Sequence, residues 1–170
     1  GELEKMASSI NWEQIYSELQ QKSKSISQNN NEITKLTALK NQLESWISLD
    51  TPLDDYKDIR SSRVLLGSIP TTELMSLRLS VENTFKTAYL EVIGDNGKDV
   101  NIMVIAHNSE ANEIEAALKI LGFVKLPLRS KKAPKEEIFD LSKTINKHLE
   151  GNKTIEEEIT GYLKKLCELQ

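Results

Sequence analysis

The chain has 170 residues, 22 Lys and Arg against 26 Asp and Glu for a net charge of −4, and only 5% aromatics. Long solvated helices suit this composition better than a compact enzyme does, and the interspersed Lys and Glu give no basic face for nucleic acid. A single cysteine, Cys167, rules out an internal disulfide, two histidines, His107 and His148, make no zinc cluster, and no apolar run reaches the ~18 residues of a membrane span, so the chain as given is expected to be soluble.

Residues 2–49 contain no Pro and no Gly, and apolar side chains recur at the alternating spacing of three and four that marks a coiled-coil seam. The seam runs through Ile15, Leu19, Lys22, Ile26, Asn29, Ile33, Leu36, Lys40, Leu43 and Ile47, with Trp12 one step earlier. A second arm, residues 134–170, opens at Pro134, a natural first-turn residue, with Glu136 and Glu137 complementing the helix dipole. Its seam is Ile138, Leu141, Ile145, His148, Asn152, Ile155, Ile159, Tyr162, Leu166 and Leu169, and the period runs through Gly151 and Gly161, so one continuous helix is expected. Seams of equal length predict an antiparallel hairpin. Setting Leu43 against Ile138 brings Asn29 beside Asn152 and Trp12 to Leu169, and this register is favoured over Ile47 against Ile138, which leaves both amides facing isoleucine. It also frees Ile47 to pack under the intervening domain. The chain begins with Gly and its helical pattern runs to the last residue, so it is expected to be an excised piece with Gly1 a cloning remnant.

Between the arms, residues 50–133 read as a connector followed by six short elements. SRVLLGSI is a strand; TTELMSLRLSVENTF is a helix capped by Thr71 or Thr72, with Leu74, Leu77, Val81 and Phe85 on one face. TAYLEVI and DVNIMVIAH are strands joined at GDNGK, where Asn96 and Gly97 are expected to supply positive φ. NSEANEIEAALKILGF is a helix with Ser109 as its expected cap and Gly122 as its stop. VKLPLRS is a final edge strand containing Pro127. The order βαββαβ predicts an α+β fold: a ferredoxin-like lobe at the tip of a long antiparallel helical hairpin.

Strand alternation assigns Leu90, Val92, Val100, Ile102, Val104, Val124 and Leu126 to the core beneath the helices. The opposite face then holds Leu65, Ile69, Tyr89, Ile93, Met103 and Ile105, too apolar to stay wet. Either the connector covers it, through Trp46, Leu49, Leu53 and Tyr56, or a partner protein does. Those six residues are the candidate partner-binding set.

No phosphate loop, paired-glycine dinucleotide turn or nucleophile elbow occurs, and GDNGKD lacks the later ligands of a calcium loop. His107 has no Ser, Cys or carboxylate at motif spacing, and His148 is expected to be a seam residue. The chain is expected to have no catalytic residues, cofactor, metal or small-molecule ligand.

The strings LESWISLDTPLDDYKD, a strand ending in GSIP, YLEVI, VIAH, LKILGF and KKAPKEEI resemble, over residues 33–145, the cytoplasmic N-terminal region of subunit I of the V-type rotary ATPases, the homologue of subunit a. The resemblance implies a distal lobe on a helical hairpin, at the cytoplasmic face of the membrane, whose parent chain continues into a proximal lobe and an integral membrane domain. It implies a structural role in ion transport, including proton transport. The lobe is held by a peripheral-stalk heterodimer so that the membrane half cannot turn with the rotor. A ligand-sensing module and a self-associating adaptor head on a coiled coil are the rival readings.

Overall fold

The computed structural model describes residues 11–168, so Leu169, Gln170 and the first ten residues lie outside it. The described residues divide into two compact units: residues 11–39 with 140–168, and residues 40–139. Their elements belong to an α+β protein with one four-stranded antiparallel sheet.

The first unit is built from two long helices, α1 (Trp12–Glu44) and α4 (Pro134–Glu168), whose later and earlier ends respectively belong to the second unit. Pro134 opens α4 with Glu136 and Glu137 in its first turn, and the helix passes through Gly151 and Gly161 unbroken. Cross-helix contacts run in opposite directions along the two chains. Tyr162 Oη donates to Glu18 at 2.7 Å, Lys22 pairs with Glu158, and Asn29 Nδ2 donates to Asn152 Oδ1 at 2.9 Å. The helices are therefore antiparallel. The register is the one in which Asn29 and Asn152 share a layer. Ile15, Leu19, Ile26, Ile33 and Leu36 on α1 and Ile145, Ile155, Ile159 and Leu166 on α4 are half-buried, the limit for two helices that cannot enclose a seam.

In the second unit, α1 ends at Glu44, and its chain turns through Trp46 N–H to Leu43 O and Ile47 N–H to Glu44 O. Ile47 lies beyond the helix and is 48% exposed, so the expectation that it packs beneath the lobe is corrected. The turn instead carries Trp46 and Leu49 into burial. A 3-10 turn at Leu53–Asp55 precedes strand β1 (Ser62–Pro70), and a second at Thr71–Glu73 leads into helix α2 (Leu74–Asn83). Strands β2 (Tyr89–Asp95) and β3 (Asp99–His107), helix α3 (Asn108–Ile120) and strand β4 (Val124–Lys125) follow, in the sheet order β2-β3-β1-β4.

Both helices bury their apolar side on one sheet face. Leu77 of α2 and Ala111, Ile114 and Leu118 of α3 join Leu65, Ile69, Val100, Ile102, Val104 and Ala106 of the strands, with Phe85, in one core. Leu65 pairs with Val104 and Ile69 with Val100, so both residues belong under the helices, and their expected place on the opposite face is corrected. The cause is the pair Leu65-Leu66: two adjacent apolar residues leave the period-two phase of the strand undetermined, and a shift of one reverses every side chain.

Local chemistry departs from expectation at the element ends. The N-cap of α3 is His107, whose Nδ1 accepts the Ser109 N–H at 3.2 Å, so Ser109 is not the cap. Neither Thr71 nor Thr72 caps α2; Thr71 Oγ1 donates to Lys98 O at 2.9 Å. In the β2–β3 turn only Gly97 has positive φ, at 90°, while Asn96 Oδ1 accepts the N–H groups of Lys98 and Asp99. Gly122, at φ 88°, ends α3 as expected. Phe123 N–H reaches Leu118 O at 2.9 Å and Gly122 N–H reaches Lys119 O at 3.1 Å, a Schellman motif. After it, Phe123 packs on the core and Val124 is 64% exposed, which corrects the core place given to Val124. Strand β4 stops well short of the predicted VKLPLRS, because Pro127 has no N–H to donate.

Candidate interaction surface

The sheet face away from α2 and α3 carries Val64, Leu66 and Ser68 of β1 opposite Ile105, Met103 and Asn101 of β3, with Tyr89 of β2 opposite Ile105. It is covered. Residues 45–58 run across it, tied at three points: Asn101 Nδ2 donates to Ser45 Oγ, Ser48 Oγ donates to Ile93 O at 2.9 Å, and Asp58 Oδ1 accepts Val64 N–H at 3.0 Å. Gly94 meets the carbonyl of Ser45 so closely that any side chain there would collide with it. Trp46, Leu49 and Leu53 are buried, as are Leu66 and Met103. The connector therefore takes the covering role.

Of the six residues expected to form a docking face, Leu65 and Ile69 lie in the core. Met103 is buried, and Ile93 and Ile105 are half-buried. Tyr89 alone of the six is exposed, at 54%, on the outer strand β2. Apolar side chains that sequence reading did not single out are also exposed: Ile59, Met75 and Leu79. Met75 and Leu79 stand one turn apart on the outer side of α2, a signal that an i, i+4 search of the solvent face would have found.

Ser130 closes the cover. Asp54 N–H donates to Ser130 O and Ser130 N–H to Asp54 Oδ1, both at 3.0 Å. Its hydroxyl donates to Glu137 Oε2 at 3.2 Å and accepts Lys132 N–H at 3.1 Å.

The remaining singled-out groups have structural partners. His107 caps α3, and His148 Nδ1 lies 3.2 Å from Asn29 Oδ1. Since an amide oxygen only accepts, His148 carries its proton on Nδ1 there. Lys22 is held above its usual pKa chiefly by its hydrogen bond to Glu158, and Tyr162 above its own by donating to Glu18. Among the described residues, no group of His, Cys, Asp or Glu is arranged to hold a metal ion, and no helix is long and apolar enough to cross a membrane.

No family model matches the sequence, and no curated protein does. Among solved structures, the chain is similar to a crystal structure of the cytoplasmic N-terminal domain of subunit I, homolog of subunit a, of V-ATPase. The two are 18% identical, with a TM-score of 0.45 over 88% of this chain and 48% of the other, so this chain spans about half the length of that one.

Proposed function

We propose that this chain is a non-catalytic stator element of a V-type rotary ATPase, at the cytoplasmic face of the membrane. The α/β unit is ferredoxin-like in its βαββαβ order and docks the peripheral-stalk heterodimer. The helix pair is the arm of a hairpin that joins it to the proximal lobe and membrane domain of a longer subunit I. The observation that carries this reading is the amide layer at Asn29 and Asn152. A spacer that resists torque needs a single register, and a part-buried amide pair disfavours every other one.

The strings that resemble subunit I support the reading by where they fall. LESWISLDTPLDDYKD is the helix end and the sheet cover, GSIP ends β1, LKILGF is the Schellman stop, and KKAPKEEI starts α4. These are positions where backbone geometry, rather than mere apolarity, restricts the residue. The adaptor reading loses its self-associating face, since Leu65 is in the core and Met103 lies under the cover.

The test is capture of the peripheral-stalk heterodimer of the same ATPase by the immobilised 170-residue chain. Binding is expected, and weak for one isolated arm, because an assembled machine engages several contacts at once. No binding at stalk concentrations that saturate the intact subunit I would overturn the proposal.

A further inference from the structure

A depression of about 320 Å³ opens in the α/β unit where β4 gives out. Leu53 from the cover and Leu66 of β1 are buried at its base, and the half-buried Leu126 and Leu128 beyond β4 bring apolar side chains to its lining. Its rim carries Lys57, Lys125 and Arg129. All three cations are exposed, and none has a carboxylate partner among the described residues. Asp58, the carboxylate in the same wall, already accepts the Val64 N–H. The charge here runs against the whole chain: residues 125–135, KLPLRSKKAPK, hold five Lys and Arg and no acid in a protein of net charge −4.

A cleft with leucines in its lining and three cations lacking a carboxylate partner among the described residues matches one chemistry. We infer that this cleft binds a short acidic segment of a protein partner, whose apolar side chain seats against Leu126 and Leu128 while its carboxylates meet Lys57, Lys125 and Arg129. Bidentate pairing by the Arg129 guanidinium adds direction to what the lysines supply as point charge. A flat anionic surface or a nucleic acid is a poorer match. Both need a broad basic face, whereas three cations line this cleft together with Asp58, and Asp54 and Asp55 stand in the adjoining 3-10 turn. The inference stands apart from the stator reading, since it needs only the local geometry.

The test uses the 170-residue chain and a short fluorescent peptide of Glu and Leu, with a Lys and Leu peptide and phosphatidylglycerol vesicles as the other arms. The Glu peptide is expected to bind, to weaken as salt rises, and to shift the backbone NMR signals of Lys57, Lys125 and Arg129. The double variant Lys125→Glu/Arg129→Glu is expected to lose about tenfold or more in affinity at unchanged thermal stability, the loss of a close charge pair. Lys57→Glu, in a separate segment, serves as the second variant and is expected to weaken binding in the same direction. Equal binding of the Lys peptide, binding of vesicles without the Glu peptide, or unchanged affinity in both variants overturns the inference. Failure of stalk capture with the Glu peptide still bound removes the stator reading alone.

Discussion

Asn29 and Asn152, on opposite helices, share a hydrogen bond of 2.9 Å inside a chain of four polar groups: His148 to Asn29, Asn29 to Asn152, and Asn152 Nδ2 to Asn30 Oδ1 at 2.9 Å. Asn152 is 8% exposed, so its amide depends on these partners. Asn29→Leu is expected to cost ~1–3 kcal/mol by leaving the buried Asn152 Oδ1 without its donor. Asn29→Leu/Asn152→Leu is expected to recover most of the loss while admitting other registers. Denaturant unfolding measures the first effect, and disulfide trapping of paired cysteines placed for neighbouring registers measures the second. Strictly additive losses would show that the amides do not act as a pair.

The cover should matter to stability more than any exposed apolar residue does. Trp46→Ala and Leu53→Ala remove side chains that are 2% and 1% exposed, and each is expected to cost ~3–5 kcal/mol. Tyr89→Ala is expected to change stability by less than ~0.5 kcal/mol and to weaken stalk capture. Met103→Lys, by contrast, buries an unpaired charge and should destabilise the unit first. Chemical denaturation of the four variants decides the order. A cover variant as stable as wild type would mean that residues 45–58 are dispensable.

Glycines predict opposite signs in helix α4 and in strand β1. A methyl group added to Gly161, within α4, would meet nothing within 4 Å, and one added to Gly151 would meet only Asn29 Nδ2 at 3.7 Å. Alanine at either is expected to stabilise by ~1 kcal/mol through helix propensity. At Gly67 a methyl group would strike the Phe123 ring and the Val124 carbonyl, so Gly67→Ala is expected to destabilise by ~1–3 kcal/mol. Thermal midpoints of the three variants should therefore move two up and one down.

The Tyr162–Glu18 and Lys22–Glu158 contacts set an alkaline limit. Both Tyr162 and Lys22 have folded-state pKa values above their ordinary ones, Tyr162 mainly through its bond to Glu18 and Lys22 mainly through its bond to Glu158. A raised folded pKa means that the contribution is complete below the ordinary values of about 10 for Tyr and 10.4 for Lys, and is lost as pH rises through the folded values. Glu18→Ala should lower the midpoint of the phenol absorbance titration of Tyr162. An unmoved midpoint would refute the assignment.

The parts of the fold governed by periodicity were legible. The three-and-four spacing of α1 and α4 placed the seam, and the cost of facing Asn with Ile selected the register. Gly122 marked its helix stop, because few residues other than glycine adopt positive φ there. What was hidden depended on contacts distant in sequence. Leu65 and Leu66 are equally apolar, and only pairing with Val104 and Met103 tells which faces the helices. Val124 gave up its core place to Phe123 because the Schellman turn fixes the phase of the chain that follows. His107 is an uncommon cap, so the more usual Ser109 drew the expectation. The basic rim was missed for a different reason: Lys57 and Lys125 are far apart in sequence, and only the ending of β4 brings them to one cleft.

The clasp between Asp54 and Ser130 also bears on how this unit can be rearranged. It joins positions separated by 76 residues, so the way into the α/β unit and the way out of it are a neighbouring pair of strands of chain. A module whose entrance and exit coincide can be inserted into, or removed from, a host loop without stretching either partner.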